Sequence, residues 1–273
     1  MLDDPSTWPL SRGGSNGTPV LFLHGWLGHR GDWNDVATAL PGDRAWMAVD
    51  LPGHGENTDG DALPELPDVL TGLERLSVAQ GIPRWHVAGY SMGGRLALAF
   101  AMVFPEHIAS LTMIAASPGV DGAEARQTRR NQDIAWATRF REQPARDVVA
   151  AWYQQPVFAS LASQPDLLAT IIQQRSVACS PLTADALVLW GQGVLPSQWG
   201  RLEQLTVPVC HISGALDPSY VAVGERMMEQ NGSIERRVIQ GVGHTVHLER
   251  PVELGHSIGQ FLSDVERREA RNR

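Results

Sequence analysis

The sequence predicts an α/β fold, a mostly parallel sheet flanked by helices and interrupted by a helical insertion. Three observations carry this. Strand-like runs recur at Pro19–Leu23, continuously apolar as a strand buried on both faces requires, and at Ala45–Val49, Ile108–Ala115, Val207–Gly214 and Ile234–Ile239. Segments of helical period alternate with them. From about Asp121 to about Ser197 the strand signal stops and only the helical period remains.

Taken in order, residues 1–18 are polar and rich in Gly, Ser and Pro, an extended arm with at most one short strand around Trp8–Leu10. Pro19–Leu23 is the first buried strand and Trp33–Leu40 a short helix. Ala45–Val49 is a strand that runs into Asp50-Leu51-Pro52-Gly53-His54-Gly55. Leu66, Val69, Leu70, Leu73 and Leu76 fall at helical spacing and mark a crossover helix over Leu66–Gln80. Arg84–Phe104 reads as strand, sharp turn and amphipathic helix, and Ile108–Ala115 as the next strand. The insertion carries helices over Arg126–Phe140, Ala145–Trp152, Asp166–Arg175 and Thr183–Leu189. Strands at Val207–Gly214 and Ile234–Ile239 resume the core, and a closing helix runs from Val252 to about Leu262. Residues 1–120 and 205–273 are thus two parts of one core, and 121–204 a cap over the strand ends, where open α/β sheets bind ligands.

The turn at Gly89-Tyr90-Ser91-Met92-Gly93 has the G-x-S-x-G pattern of a nucleophile elbow. A serine there sits in a strained backbone conformation above the strand ends, with glycines leaving room as strand passes into helix. The free N–H groups at the start of the next helix point at the reaction centre. His24-Gly25-Trp26-Leu27-Gly28, closing the first buried strand, matches the loop that gives α/β-hydrolases their second oxyanion-hole amide. The donors expected are the Trp26 and Met92 backbone N–H groups. Asp217 lies just past a strand end, and His244 follows a glycine turn directly after the last strand. Ser91, Asp217 and His244 stand in the serine–acid–histidine order of that fold. Asp50 precedes the serine and so falls outside the order. His247, three residues after His244, reads as a supporting or packing residue, and the other histidines as structural.

The formal net charge of −8 and the isoelectric point near 5.6 argue against nucleic acid or an anionic membrane as partner. Met1-Leu2-Asp3-Asp4-Pro5 lacks the basic and apolar regions of a signal peptide, and no apolar run approaches transmembrane length. Cys179 and Cys210 are far apart and read as reduced thiols of a cytoplasmic protein. The histidines lack metal-ligand spacing, and no dinucleotide or phosphate-loop motif occurs, so neither metal nor cofactor is expected.

Arg95 lies one helical turn after Ser91, where an unpaired buried charge would be costly. The cap adds Arg126, Arg129, Arg130 and Arg175, with Asp133 and Glu124 available as surface ion-pair partners. Guanidinium groups turned into a pocket would instead bind carboxylates. The aromatic run around Trp152 supplies a cap–core contact.

Several segments together resemble the 2-succinyl-6-hydroxy-2,4-cyclohexadiene-1-carboxylate synthases, a family of the α/β-hydrolase superfamily. They are G-Y-S-M-G-G-R with Tyr90, Ser91 and Arg95, the R-x-x-R-R-x-x-D-x-x-W segment ending at Trp136, the W-Y-Q-Q-P-V-F-A-S-L run from Trp152 to Leu161, and G-H-x-x-H at His244–His247. The W-Y-Q-Q-P-V-F-A-S-L run is the specific one, because the elbow and the oxyanion loop are common to the superfamily. The resemblance implies a lyase of menaquinone biosynthesis, or of phylloquinone biosynthesis in phototrophs. It implies pyruvate elimination from 2-succinyl-5-enolpyruvyl-6-hydroxy-3-cyclohexene-1-carboxylate, a small tricarboxylate. It assigns Ser91, His244 and Asp217 to proton abstraction, and Tyr90, Arg95, Arg129, Trp152 and Arg175 to substrate binding, the Arg175 match requiring a small insertion in the loop before it. The triad alone would also serve a carboxylester or carbon–carbon-bond hydrolase, and the fold alone a non-catalytic binding protein.

Overall fold

A computed structural model describes residues 8–271. The strands are β1 (Leu10–Gly13), β2 (Asn16–Leu23), β3 (Arg44–Val49), β4 (Trp85–Tyr90), β5 (Ile108–Ile114), β6 (Val209–Gly214) and β7 (Glu235–Ile239). They form one seven-stranded sheet in the order β1-β3-β2-β4-β5-β6-β7. Only β1 runs antiparallel, against β3, and every other neighbouring pair is parallel. This is the predicted α/β-hydrolase architecture. The edge strand starts at Leu10, the end of the short strand expected at Trp8–Leu10, because its register is set by pairing Leu10 with Val49. The Met1–Pro5 segment read for a leader lies outside the described residues.

Parallel strands need crossovers, and helices supply them on both faces. On one face α2 (Leu66–Ala79) and α3 (Met92–Val103) bury Leu73, Leu76, Leu96 and Phe100 against Leu21, Leu23 and Val87. On the other, α1 (Asn34–Thr38) and the closing helix bury Val36, Leu254, Ile258 and Phe261 against Val20 and Phe22. Strands β4, β5 and β6 are buried along their whole length, which is why they read as continuous apolar runs. Helix α8 (Pro218–Gln230), between β6 and β7, was not legible in the sequence. It buries only Gly224 and Met227, too narrow a stripe to set a period. The closing helix, α10 (Pro251–Arg271), runs past Leu262 because Val265 continues its buried stripe.

Between β5 and β6 lie α4 (Ala123–Glu142), α5 (Ala145–Tyr153), a 3-10 turn (Pro156–Ser163), α6 (Pro165–Ala178) and α7 (Pro181–Trp190). They share an apolar cluster of Ala137, Phe140, Val148, Val149 and Leu161, which Leu27 of the core enters. The cap is also hydrogen-bonded down. Trp26 Nε1 donates to the Thr183 carbonyl at 2.7 Å, Thr183 Oγ1 to the Gly53 carbonyl at 2.9 Å, and Trp190 Nε1 to the Pro64 carbonyl at 3.2 Å. Asp50 holds the loop beneath. Its carboxylate pairs with Arg30 and accepts from the backbone N–H groups of Arg30 and Glu56. No helix among the described residues is long and apolar enough to cross a membrane.

The core also holds uncharged histidines. Burial pushes His24, His86 and His211 down to about 4, and His54 and His247 to about 3. The unfolded chain therefore binds protons that the folded one refuses. Their stabilisation is whole above the ordinary histidine value of 6.5 and is lost as pH falls from there towards 4. Each histidine contributes about 1.4 kcal/mol per pH unit in that window. Urea denaturation across a pH series is expected to show a steep loss of stability below pH 6.5, with unfolding well above pH 4. A flat profile from neutrality to pH 5 would show that these side chains take up protons without leaving the fold.

Candidate active site

Ser91 caps α3 with φ 49° and ψ −107°, a left-handed conformation that a serine occupies at a cost of about 1–3 kcal/mol. Its neighbours enforce it. The Ser91 N–H donates to the Ile114 carbonyl of β5 at 2.9 Å, and its carbonyl accepts from Arg95 N–H at 3.1 Å, the first turn of the helix. Gly93 then lets the turn press on the end of β2. A Cβ there would stand 2.2 Å from the Leu23 carbonyl oxygen and 2.4 Å from that of His24. Gly25 makes the reciprocal fit, since a Cβ would meet the Tyr90 ring at 2.6 Å. The two predicted oxyanion loops are thus in backbone contact. Neither the Trp26 nor the Met92 N–H donates to any acceptor among the described residues. His24 fixes its loop from below. Its Nε2 accepts from Leu51 N–H at 3.0 Å and its Nδ1 donates to the Gly25 carbonyl at 2.8 Å.

Asp217 is the N-cap of α8. Its Oδ1 accepts from the Tyr220 N–H at 3.3 Å, and its Oδ2 accepts from His244 Nδ1 at 2.7 Å. That bond puts the proton on Nδ1 and leaves Nε2 with a lone pair. The His244 ring lies among Tyr220, Tyr90 and Phe158, at centroid distances of 4.7, 5.4 and 5.7 Å, beside the residue that precedes Ser91. His247 is the packing residue expected. Its ring sits between Tyr90 at 4.0 Å and Trp33 at 5.4 Å.

No sequence motif singles out Glu249. It is buried, accepts from Gly243 N–H and from Thr245 Oγ1 on either side of His244, and accepts from Gln164 Nε2 of the cap at 3.3 Å. A buried carboxylate clamping the histidine loop has no local motif, because its partners come from two separate segments.

Arg95 is 9% exposed and its side chain makes no ion pair or hydrogen bond among the described residues, with Nε fully buried. Burial pulls its pKa down to about 10, with Arg129 adding repulsion against the partial relief from Tyr220 and Asp133. It remains a cation at neutral pH. Arg129 is half-exposed, held by Asp133 at 2.8 Å and by Gln192 Oε1 at 2.8 Å. Arg95 and Arg129 therefore lie near one another. Arg175 is elsewhere, buried against Asp32 at 2.7 Å. Burial alone would lower its pKa, but the Asp32 carboxylate overcomes this and holds it above the ordinary arginine value. The Tyr153 hydroxyl lies beside the same guanidinium, outside hydrogen-bond geometry to Nε and Nη1, which have no partner. Trp152 does make the cap–core contact, packing edge-on to Trp26 at 4.4 Å and Trp136 at 5.0 Å. Arg130 is exposed.

A cleft of about 800 Å³ lies between α6 and the His29–Asn34 and Asp50–Glu56 loops. Ser91, Asp217 and His244 do not line it, so its size says nothing of the chemistry. Among the described residues no group of three or more His, Cys, Asp or Glu side chains could hold a metal ion. Both cysteines are free thiols, pushed up to about 11 and 12 by burial.

The chain is similar to known proteins. A sequence model of the alpha/beta hydrolase fold matches residues 18–251. The 2-succinyl-6-hydroxy-2,4-cyclohexadiene-1-carboxylate synthase of Klebsiella pneumoniae subsp. pneumoniae is 34% identical over 261 residues, 93% of this chain and 99% of the relative. The chain belongs to the 2-succinyl-6-hydroxy-2,4-cyclohexadiene-1-carboxylate synthase family of the α/β-hydrolase superfamily. The synthase of Serratia proteamaculans is 31% identical over 94% of this family member and 98% of its own length. The solved structure of MenH from S. aureus matches it with a TM-score of 0.88 at 27% identity, over 94% of this chain and 98% of the other. A thermophilic esterase from Thermogutta terrifontis, at 24% identity and a TM-score of 0.80 over 94% of this chain and 93% of the other, shares the fold.

An uncompensated buried cation destabilises the unliganded protein. Replacing Arg95 with Met keeps the volume and removes the charge. Thermal unfolding without ligand is expected to show Arg95→Met more stable by about 1–3 kcal/mol. A lower melting temperature would mean the guanidinium is satisfied in place.

Proposed function

We propose that this protein eliminates pyruvate from 2-succinyl-5-enolpyruvyl-6-hydroxy-3-cyclohexene-1-carboxylate, giving 2-succinyl-6-hydroxy-2,4-cyclohexadiene-1-carboxylate, a step of menaquinone biosynthesis. The observation that carries the reading is a strained serine with a buried, unpaired arginine one turn further along the same helix. The serine alone fits any hydrolase of the fold. The arginine fits a substrate that brings its own negative charge.

In this reading Ser91 oxygen removes a ring proton, and its own proton passes to Nε2 of His244. Asp217 holds the imidazole in the required tautomer and stabilises the imidazolium. The electron pair released by the ring C–H delocalises onto the succinyl carbonyl, whose oxygen takes up negative charge. The free N–H groups of Trp26 and Met92 are the donors for that oxygen. The charge then returns to the ring, the C–O bond to enolpyruvate breaks, and the departing oxygen is protonated. Pyruvate forms on tautomerisation. No acyl-enzyme is needed. Arg95 and Arg129 hold carboxylates on the Tyr220 side of the site, and the free Nε and Nη1 of Arg175 serve on the Tyr153 side. Trp152 and Tyr90 supply the walls against the ring.

The purified protein is expected to release pyruvate from this substrate and to cleave a short-chain aryl ester poorly, because an uncharged ester leaves the arginines without partners. Fast ester turnover through an acyl-Ser91 seen by mass spectrometry, without pyruvate, would reassign it as a hydrolase. Ser91→Ala, His244→Ala and Asp217→Asn are each expected to lower kcat by orders of magnitude, with double variants little worse than singles. Full activity in His244→Ala together with loss in His247→Ala would give the base role to the other histidine. Arg129→Ala is expected to raise KM about ten- to a hundredfold, the worth of a charged hydrogen bond. An unchanged KM in that variant would leave Arg129 with Asp133 and Gln192 alone.

A further inference from the structure

Gln192, just past α7, is buried at the seam between cap and core. Arg129 Nη1 can only donate, so the Gln192 atom facing it at 2.8 Å is the carbonyl oxygen. The amide nitrogen must then point the other way. There it donates to Ser117 Oγ at 3.3 Å and to Tyr220 Oη at 3.1 Å. Each hydroxyl accepts through its oxygen, and each has a single proton left to give. Neither finds an acceptor among the described residues. Ser117 and Arg95 line one small void of about 10 Å³, and Tyr220 stands close enough to Arg95 to act on its charge. The Arg95 guanidinium and the Ser117 hydroxyl border that void, and the Tyr220 hydroxyl meets Ser117 through the shared Gln192 amide.

We propose that Arg95, Ser117 and Tyr220 together bind one carboxylate of the substrate, and that Gln192 is the positioning residue that fixes both hydroxyls as donors. The inference rests on the lyase reading for the identity of the ligand. A carboxylate fits the set because it is acceptor-only and can take the guanidinium and the two hydroxyl protons on its two oxygens. Gln192 and Arg129 come from the insertion, and Ser117 and Tyr220 from the core. The two hydroxyls are therefore fixed as donors only with the cap seated. The Tyr220 ring also packs at a tilt against His244 and its backbone N–H donates to Asp217, so the carboxylate site and the proton relay share one residue.

The test is steady-state kinetics of pyruvate release, with substrate titrated directly into Ser91→Ala backgrounds for Kd. Thermal unfolding of each variant checks its fold. Tyr220→Phe and Ser117→Ala each remove one donor and are expected to raise KM and Kd by about tenfold, with a smaller fall in kcat. Gln192→Glu is nearly isosteric and still accepts from Arg129. Its second oxygen would accept from both hydroxyls, turn their protons away from the pocket and add a negative charge. It is expected to raise KM by about a hundredfold, as much as losing a charged hydrogen bond. Wild-type KM and Kd in all three, with pyruvate still released by the unsubstituted protein, would overturn the proposal. So would a fall in kcat alone in Tyr220→Phe, which would make Tyr220 a support for the His244 ring. No pyruvate release from the unsubstituted protein would overturn the lyase reading itself, and this inference with it.

Discussion

The backbone of the serine turn is pressed against the backbone at the end of β2, and Gly93 makes that contact possible. With a Cβ 2.2 Å from a carbonyl oxygen, the two segments would have to part. Ser91 could then no longer be held at φ 49° between β5 and the first turn of α3. The Trp26 and Met92 amides would lose their common neighbourhood. Tyr90, which lies against both Gly25 and the His244 ring, would shift with them. Strain at the serine is thus held by close packing that spans β2, β4 and β5.

The site around this contact is built with more donors than acceptors. Two backbone amides, the Arg95 guanidinium and the hydroxyl protons of Ser117 and Tyr220 have no acceptor among the described residues. Unsatisfied buried polar groups destabilise a fold and are rare in proteins. In the proposed reading an anionic substrate supplies the acceptor they lack. Arg175 shows the contrast. It is as deeply buried, but Asp32 neutralises it, so its charge also ties the cap helix α6 to the core.

Cap and core are joined in two ways. Apolar packing brings Leu27 and Trp26 into the cap's aromatic cluster. Polar bonds from Gln164 to Glu249 and from Gln192 to Tyr220 reach the segments that carry His244 and Asp217. A displacement of the cap would therefore reach the surroundings of His244 and Asp217 as well as Arg129.

The sequence by itself determined whatever is local or periodic. Buried strands announce themselves as apolar runs because both of their faces are covered, and the elbow is legible because glycine spacing and a strand-to-helix switch lie within one short segment. The order Ser91, Asp217, His244 follows from chain order in the fold. The aromatic run at Trp152 pointed to the family. Tertiary structure decided whatever depends on partners distant in the chain. It left Arg95 without a counter-ion and gave one to Arg175, 143 residues from Asp32. It joined Gln192 to Ser117 and Tyr220, and Glu249 to Gln164. The physical reason is that a charge or hydroxyl carries no sign in its own sequence of what will face it. Its burial and its partner are set only when separate segments close around it.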